Sequence, residues 1–163
     1  MTTSLRERVL VDSNVILELL RGNEKVKEKL GGLVREHQLA INPIIFSEVA
    51  FQLIAAKYVE EKGRYSAFDV KRELKKNEEL LEYYRAFYTN FLLGGLMQGD
   101  LTVLEVDEET VKIANELMEK HRLLPNDALI LATALKFGIR KIFTLNGDFD
   151  VGIVDVIKLG EGD

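Results

Sequence analysis

Short apolar runs at residues 8–11, 38–41, 101–106, 141–144 and 154–157 alternate with segments whose apolar residues recur every three or four positions. This alternation constrains the fold more than any other feature. Strands that are each followed by helices predict a parallel sheet covered on both faces, a three-layer α/β/α fold with roughly five strands. The helix signals are local. Asp12-Ser13-Asn14 starts one, with Val15, Ile16, Leu19 and Leu20 at helical spacing, and Gly22-Asn23 stops it. Val26, Leu30, Leu33 and Val34 line the face of a second, charged helix. Asp107 caps another that runs to Lys120, with Val111, Ile113, Ala114, Leu117 and Met118 inward. Pro125 opens the last, which Gly138 closes. A chain of 163 residues, 47% hydrophobic, can bury one good core, so it reads as a single domain over 1–163.

The middle of the chain departs from strict alternation. After the cap Asn42 and the first-turn proline Pro43, apolar residues over 44–59 are too dense for a half-exposed helix, which predicts one that is largely buried. A helical excursion follows over about 60–98. Its first part, 60–79, is polar and charged, a helix pair or a mobile excursion. Leu80, Tyr83, Tyr84, Phe87, Tyr88, Phe91 and Leu92 then make an apolar aromatic stripe at spacings of three and four. Such a stripe serves either a subunit interface, testable at Phe87, or closure of the core. Gly94-Gly95 would loosen its end.

Four acids stand at the edges of apolar runs. Asp12 and Asp148 follow strands, while Glu48 and Asp127 lie near helix starts, so all four can face the carboxyl edge of the sheet, where ligands of α/β folds collect. Two carboxylates about 5 Å apart repel by roughly 3 kcal/mol at an effective dielectric near 20, so a converged group calls for a divalent cation. Oxygen-only donors favour Mg²⁺ or Mn²⁺. Zinc fits poorly, because there is no cysteine and His37 and His121 lie in unrelated polar segments. Each acid also has a plainer role. Asp12 can cap a helix, Asp127 can offset a helix dipole and Asp148 can sit in an Asn-Gly-Asp turn. Glu48 has no Lys or Arg between Arg35 and Lys57 to pair with. Ser13, Asn14 and Asn126 read as caps or supporting groups, and both histidines as surface residues.

The formal charge of −5 excludes a broad basic coat for nucleic acid, though not an enzyme that cuts it. One basic cluster is present, Lys57, Lys62, Arg64, Lys71, Arg72, Lys75 and Lys76, and it is either a guide for phosphates or a solvated helix face with interleaved acids. No run approaches the roughly 20 apolar residues of a membrane span, and residues 1–8 are polar. The expectation is a soluble cytoplasmic protein without membrane contact. No Gly-rich loop carries Lys with Ser or Thr, which excludes a P-loop NTPase. A phosphatase with an aspartate nucleophile would show a second acid where Asn14 stands.

The segments VDSNVIL, SEVAFQL, PNDALILATAL and FTLNGDF, in that order, resemble the PIN domain family, the nuclease fold of VapC-type toxins and of RNA-processing and quality-control nucleases. The likeness spans 9–149. It implies that Asp12, Glu48 and Asp127 are metal-binding catalytic acids and that Thr144 is the hydroxyl residue of the last motif. The family often carries an acid two places after that hydroxyl, where this chain has Asn146. Either Asp148 supplies the fourth carboxylate or Asn146 contributes a neutral ligand. Ser13, Asn14 and Thr144 would support the ligands from behind. The implied activity is Mg²⁺- or Mn²⁺-dependent hydrolysis of RNA by an activated water. The alternatives are the toxin of a toxin–antitoxin pair with an antitoxin partner, a processing or quality-control nuclease, and a catalytically weak RNA- or protein-binding module. The family together with the stripe also predicts a homodimer.

Overall fold

Val9, Leu10 and Val11 are fully buried in succession, and because successive strand side chains point to opposite faces, apolar layers must cover both sides of this strand. The computed structural model describes residues 6–160; the ends of the 1–163 span, and most of the polar stretch 1–8, lie outside the described residues. The strand is β1, Glu7–Val11. It pairs in parallel with β2, His37–Ile41, on one side and with β4, Lys141–Phe143, on the other. The outer strands are β3, Leu101–Val103, and β5, Asp155–Ile157, giving a five-stranded parallel sheet in the order β3-β2-β1-β4-β5. The three-layer prediction holds.

All carboxyl ends therefore meet one edge. Register aligns Val11 with Phe143 and Ile41 with Val103. Sheet bonding continues one residue further, with the Asp12 amide donating to the Phe143 carbonyl at 2.9 Å and the Thr144 amide to the Ile157 carbonyl at 3.2 Å. The strand order reverses between β1 and β4, and crevices form at such a switch point.

Helices α1 (Ser13–Leu20) and α2 (Glu24–Glu36) follow β1, and α2 is capped by the Asn23 side chain. Helix α3, Pro43–Lys62, is capped by Asn42 and stopped by Gly63 at φ 75, a left-handed position that suits glycine. Only one side of α3 is buried, through Ile45, Val49, Leu53, Ala55 and Tyr58, while Phe51 and Val59 are exposed. The prediction of a largely buried helix is corrected accordingly. Helix α4, Ala67–Leu74, covers the end of α3, and Val70, Tyr58 and Leu80 form a small second apolar cluster there. The polar excursion thus contains one helix, α4, packed on the end of α3.

A 3₁₀ turn at Glu78–Leu81 leads into α5 (Glu82–Ala86), a π-helical stretch at Phe87–Leu93, and α6 (Gly94–Gln98). The aromatic stripe mainly closes the core. Phe87 is fully buried, so it reports on the core and not on a subunit interface, and Tyr83, Tyr84 and Phe91 pack against that core. The glycine pair does not loosen the helix end. A Cβ at Gly95 would lie 2.7 Å from Leu101 Cβ, so glycine lets α6 press against β3.

Helix α7, Glu108–His121, begins with a capping box in which Asp107 and Thr110 satisfy each other's backbone amides. That box turns Thr110 inward and leaves Val111 55% exposed, against the expectation for Val111. Helix α8, Pro125–Lys136, is buried along most of its length, as its apolar run predicts.

Candidate acidic site at the strand ends

Asp12 sits at the junction of β1 and α1 and is only 4% exposed. Its two oxygens have separate partners: Oδ1 accepts the Ser13 amide at 2.8 Å, and Oδ2 accepts the Thr144 hydroxyl at 2.8 Å. Asp12 therefore caps α1, and its charge also acts on Glu48 and Asp127. Burial pushes its carboxyl up, the Thr144 and Ser13 hydrogen bonds pull it back, and the charge of Asp148 raises it again.

The Thr144 hydroxyl is saturated. It accepts the Asn14 side-chain amide and the Asn146 backbone amide, each at 3.3 Å, so its one proton is committed to Asp12. The orientation of Asn14 is determined as well, because the Leu145 amide, which can only donate, reaches Asn14 Oδ1 at 3.2 Å. Ser13 and Thr144 thus hydrogen-bond Asp12 directly, and Asn14 reaches it through Thr144.

Glu48 enters from the second turn of α3 and is half-buried. Oε2 receives a long contact, 3.4 Å, from the Asn126 side chain. Oε1 is buried and, among the described residues, is the one buried side-chain oxygen or nitrogen without a hydrogen-bond partner. Desolvation raises the Glu48 carboxyl, and the Asp12 charge adds to this. Asp127, in the first turn of α8, is pushed up to about 6 by burial and then by the charges of Asp148, Asp12 and Glu48. The charges of Asp12, Glu48 and Asp148 thus all act on Asp127. A buried Asn42–Thr133 hydrogen bond of 2.9 Å ties the start of α3 to α8. Thr133 was missed in the sequence, where its signal was a lone polar residue inside an apolar helix run.

Asp148 and Asn146 divide the last motif between them. Asp148 is exposed and its charge acts on both Asp12 and Asp127. Asn146 Oδ1 accepts the Asp148 amide at 3.0 Å, a turn that presents Asp148. His37 begins β2, at the opposite end of the sheet, with Nδ1 3.2 Å from the Leu33 carbonyl, so it is remote from the acids and partly buried rather than a surface residue.

Oxygen-only donors, an orphaned buried carboxylate oxygen and a carboxyl raised by like charges together fit a hard divalent cation. Among the described residues no three acidic or histidine side chains close into a cage for an ion.

Comparison with known proteins agrees with the architecture. The family described as PIN domain matches residues 9–152. Ribonuclease VapC6 of Methanocaldococcus jannaschii is 32% identical over 152 residues, covering 92% of this chain and 96% of that protein. Ribonuclease VapC2 of the same organism is 33% identical over 155 residues, covering 93% and 94%. The solved toxin-antitoxin complex from Klebsiella pneumoniae contains a chain of the same fold, with a TM-score of 0.62 at 20% identity, covering 94% of this chain and 98% of that one.

Proposed function

The chain belongs to the PIN domain family, and on that premise we propose that it is an endoribonuclease that hydrolyses RNA phosphodiesters with Mg²⁺ or Mn²⁺ at Asp12, Glu48, Asp127 and Asp148. The observation that carries this reading is the arrangement at the strand ends, where Asp12 is buried between the Ser13 amide and the Thr144 hydroxyl and one oxygen of Glu48 is buried without a hydrogen-bond partner. Four carboxylates gathered for helix capping alone would not need to converge. The ribonuclease relatives that match nearly the whole chain support the activity.

A divalent cation bound there would polarise the attacking water and offset charge developing on the phosphate. The protein supplies the frame. Thr144, itself held by Asn14, keeps Asp12 oriented and favours its ionised form. Asn126 restrains one oxygen of Glu48 and leaves the other free. Asn146 holds the turn that carries Asp148, so Asp148 takes the fourth acidic position in this proposal and Asn146 serves the backbone. In the reaction water oxygen bonds to phosphorus, the bond to the leaving ribose oxygen breaks, and that oxygen takes up a proton.

An antitoxin is the protein partner favoured here, since the fold is that of a chain in a solved toxin-antitoxin complex. One nuclease domain over 1–163, a homodimer and a cytoplasmic location complete the proposal. No helix among the described residues is long and apolar enough to cross a membrane. A dimer would use exposed apolar residues of the helical excursion, such as Tyr88, Leu96 and Met97, in place of the buried Phe87.

The test is cleavage of a mixed single-stranded RNA panel with Mg²⁺ or Mn²⁺, comparing wild type, Asp12→Asn and a chelator control. Metal-dependent cutting lost in Asp12→Asn is the expected result. No cutting, with no metal binding by calorimetry, would instead make the chain a non-catalytic binding module.

A further inference from the structure

The outer face of α4 carries Phe68, Lys71, Arg72 and Lys75, spaced i, i+3, i+4 and i+7, the pattern that places side chains in one stripe. Its inner face is committed elsewhere, through Val70 and Leu74 in the small apolar cluster. The stripe therefore faces solvent for no packing reason. Phe68 is 69% exposed and Tyr65, just before the helix, is 55% exposed. A surface phenylalanine at that exposure adds nothing to the core, and the Arg72 guanidinium lies 5.1 Å over its ring.

Charge on this segment runs opposite to the chain. Between Lys62 and Lys76 the six cations Lys62, Arg64, Lys71, Arg72, Lys75 and Lys76 stand beside two acids, Asp69 and Glu73, with Glu60, Glu61, Glu78 and Glu79 flanking the stretch, in a protein whose formal charge is −5. The acids are the more covered partners: Asp69 is held by Arg72 at 3.2 Å and Glu73 by Lys62 at 3.7 Å, while all six cations are exposed. Lys62, Arg64, Arg72 and Lys76 also line a depression of about 220 Å³, together with Asp69 and Glu73. Lys57 does not belong to this group. It pairs with Glu82 at 2.8 Å and lies over the Tyr83 ring, which ties α3 to α5.

Exposed rings interleaved with exposed cations are what an unpaired nucleic acid strand requires, because bases stack on aromatic faces while cations follow the phosphates. We propose that the Tyr65–Lys76 face of α4 binds single-stranded RNA at a site separate from the four acids. The choice of RNA among polyanions rests on the nuclease reading. Lys62 lies fourteen residues beyond Glu48 on α3, roughly 20 Å along the helix axis. The face is therefore an anchor for substrate away from the bond that is cut, and it acts on KM while leaving kcat in place.

The experiment measures anisotropy of a fluorescein-labelled single-stranded RNA in chelator, where no cutting occurs, over a series of salt concentrations. Three proteins are compared with wild type: Lys71→Ala/Lys75→Ala/Lys76→Ala, Phe68→Ala, and a control, Lys25→Ala/Lys27→Ala/Lys112→Ala, with exposed lysines elsewhere. The α4 triple variant should lower the slope of log affinity against log salt by about 2, since each phosphate contact on a single strand contributes about 0.7. Phe68→Ala should weaken binding about fivefold or more with the slope unchanged. The control should bind as wild type. Wild-type affinity in both α4 variants overturns the proposal, as does equal competition by duplex RNA or polyglutamate, which would mark a charge-only or acidic-protein surface. A chain that binds through α4 yet cuts nothing with Mg²⁺ or Mn²⁺ sinks the nuclease reading alone; one that cuts while binding independently of α4 sinks this inference alone.

Discussion

The Thr144 hydroxyl donates to Asp12 Oδ2 at 2.8 Å, joining the ends of β4 and β1 across 132 positions of sequence. Two amides already fill the acceptor side of that hydroxyl, so it has no other use for its proton.

Replacing Thr144 with Val keeps the shape and removes that donor from a buried carboxylate. Stability should fall by about 1.5–3 kcal/mol near neutral pH. Asp12 already has a raised carboxyl, so its favourable contribution is full below its unfolded value and lost as pH rises through the folded one. The variant raises the folded value further, and its deficit should shrink in acid. Urea denaturation at neutral and acidic pH measures this, with Thr144→Ser close to wild type. A deficit of the same size at both would mean lost packing instead of lost charge support.

The two candidates for the fourth position separate by substitution. Asp148→Asn should lower kcat/KM for RNA by about tenfold or more, roughly 1.4 kcal/mol of transition-state stabilisation. Asn146→Ala, which removes only the turn bond to the Asp148 amide, should cost less and respond to added Mg²⁺. The reverse order of effects would make Asn146 the ligand.

Asp127→Asn should stabilise the metal-free protein. Ionised Asp127 is unfavourable in the fold, where its value is about 6 against 3.8 unfolded, so its contribution is full below 3.8 and lost as pH rises through 6. The advantage of the variant should therefore appear between those values and stay level above them, as read by thermal melting in chelator. Added Mg²⁺ should favour wild type, by about 2.7 kcal/mol at a hundredfold excess over Kd. A variant less stable than wild type in chelator would remove the electrostatic argument for the site.

Gly95→Ala should cost about 1–3 kcal/mol, because the new methyl meets Leu101 Cβ at 2.7 Å and α6 must shift away from β3. Gly94→Ala meets nothing nearer than the Thr89 carbonyl at 3.8 Å. It should be neutral or stabilise by up to about 1 kcal/mol, as alanine favours helix. Chemical denaturation of the two variants gives the comparison, and equal effects would exclude close approach as the reason for Gly95.

Strands and caps were legible because their causes are local. Asn42 and Asp107 each bond an amide within three residues, and such a bond is written in the adjoining sequence, whereas Asn23, read only as a helix stop, also caps the next helix. Burial on the helices was read less well. Val111 turned outward because the Thr110 capping box sets the rotation of α7, and Phe51 and Val59 are exposed because neighbouring elements cover only one side of α3. Periodicity shows that a helix has an apolar face, while the amount of that face that is covered depends on what packs there.

For this chain, sequence by itself determined the parallel α/β alternation and the placing of acids after strands or at helix starts, since period and capping act over a few residues. Tertiary structure decided how those acids meet. The neighbouring positions of β1 and β4 bring Thr144 to Asp12, the Asn42–Thr133 bond ties the start of α3 to α8, and the Asn146 side chain accepts the Asp148 amide. Those relationships depend on strand order and on bonds between residues far apart in the chain, and no local pattern encodes them.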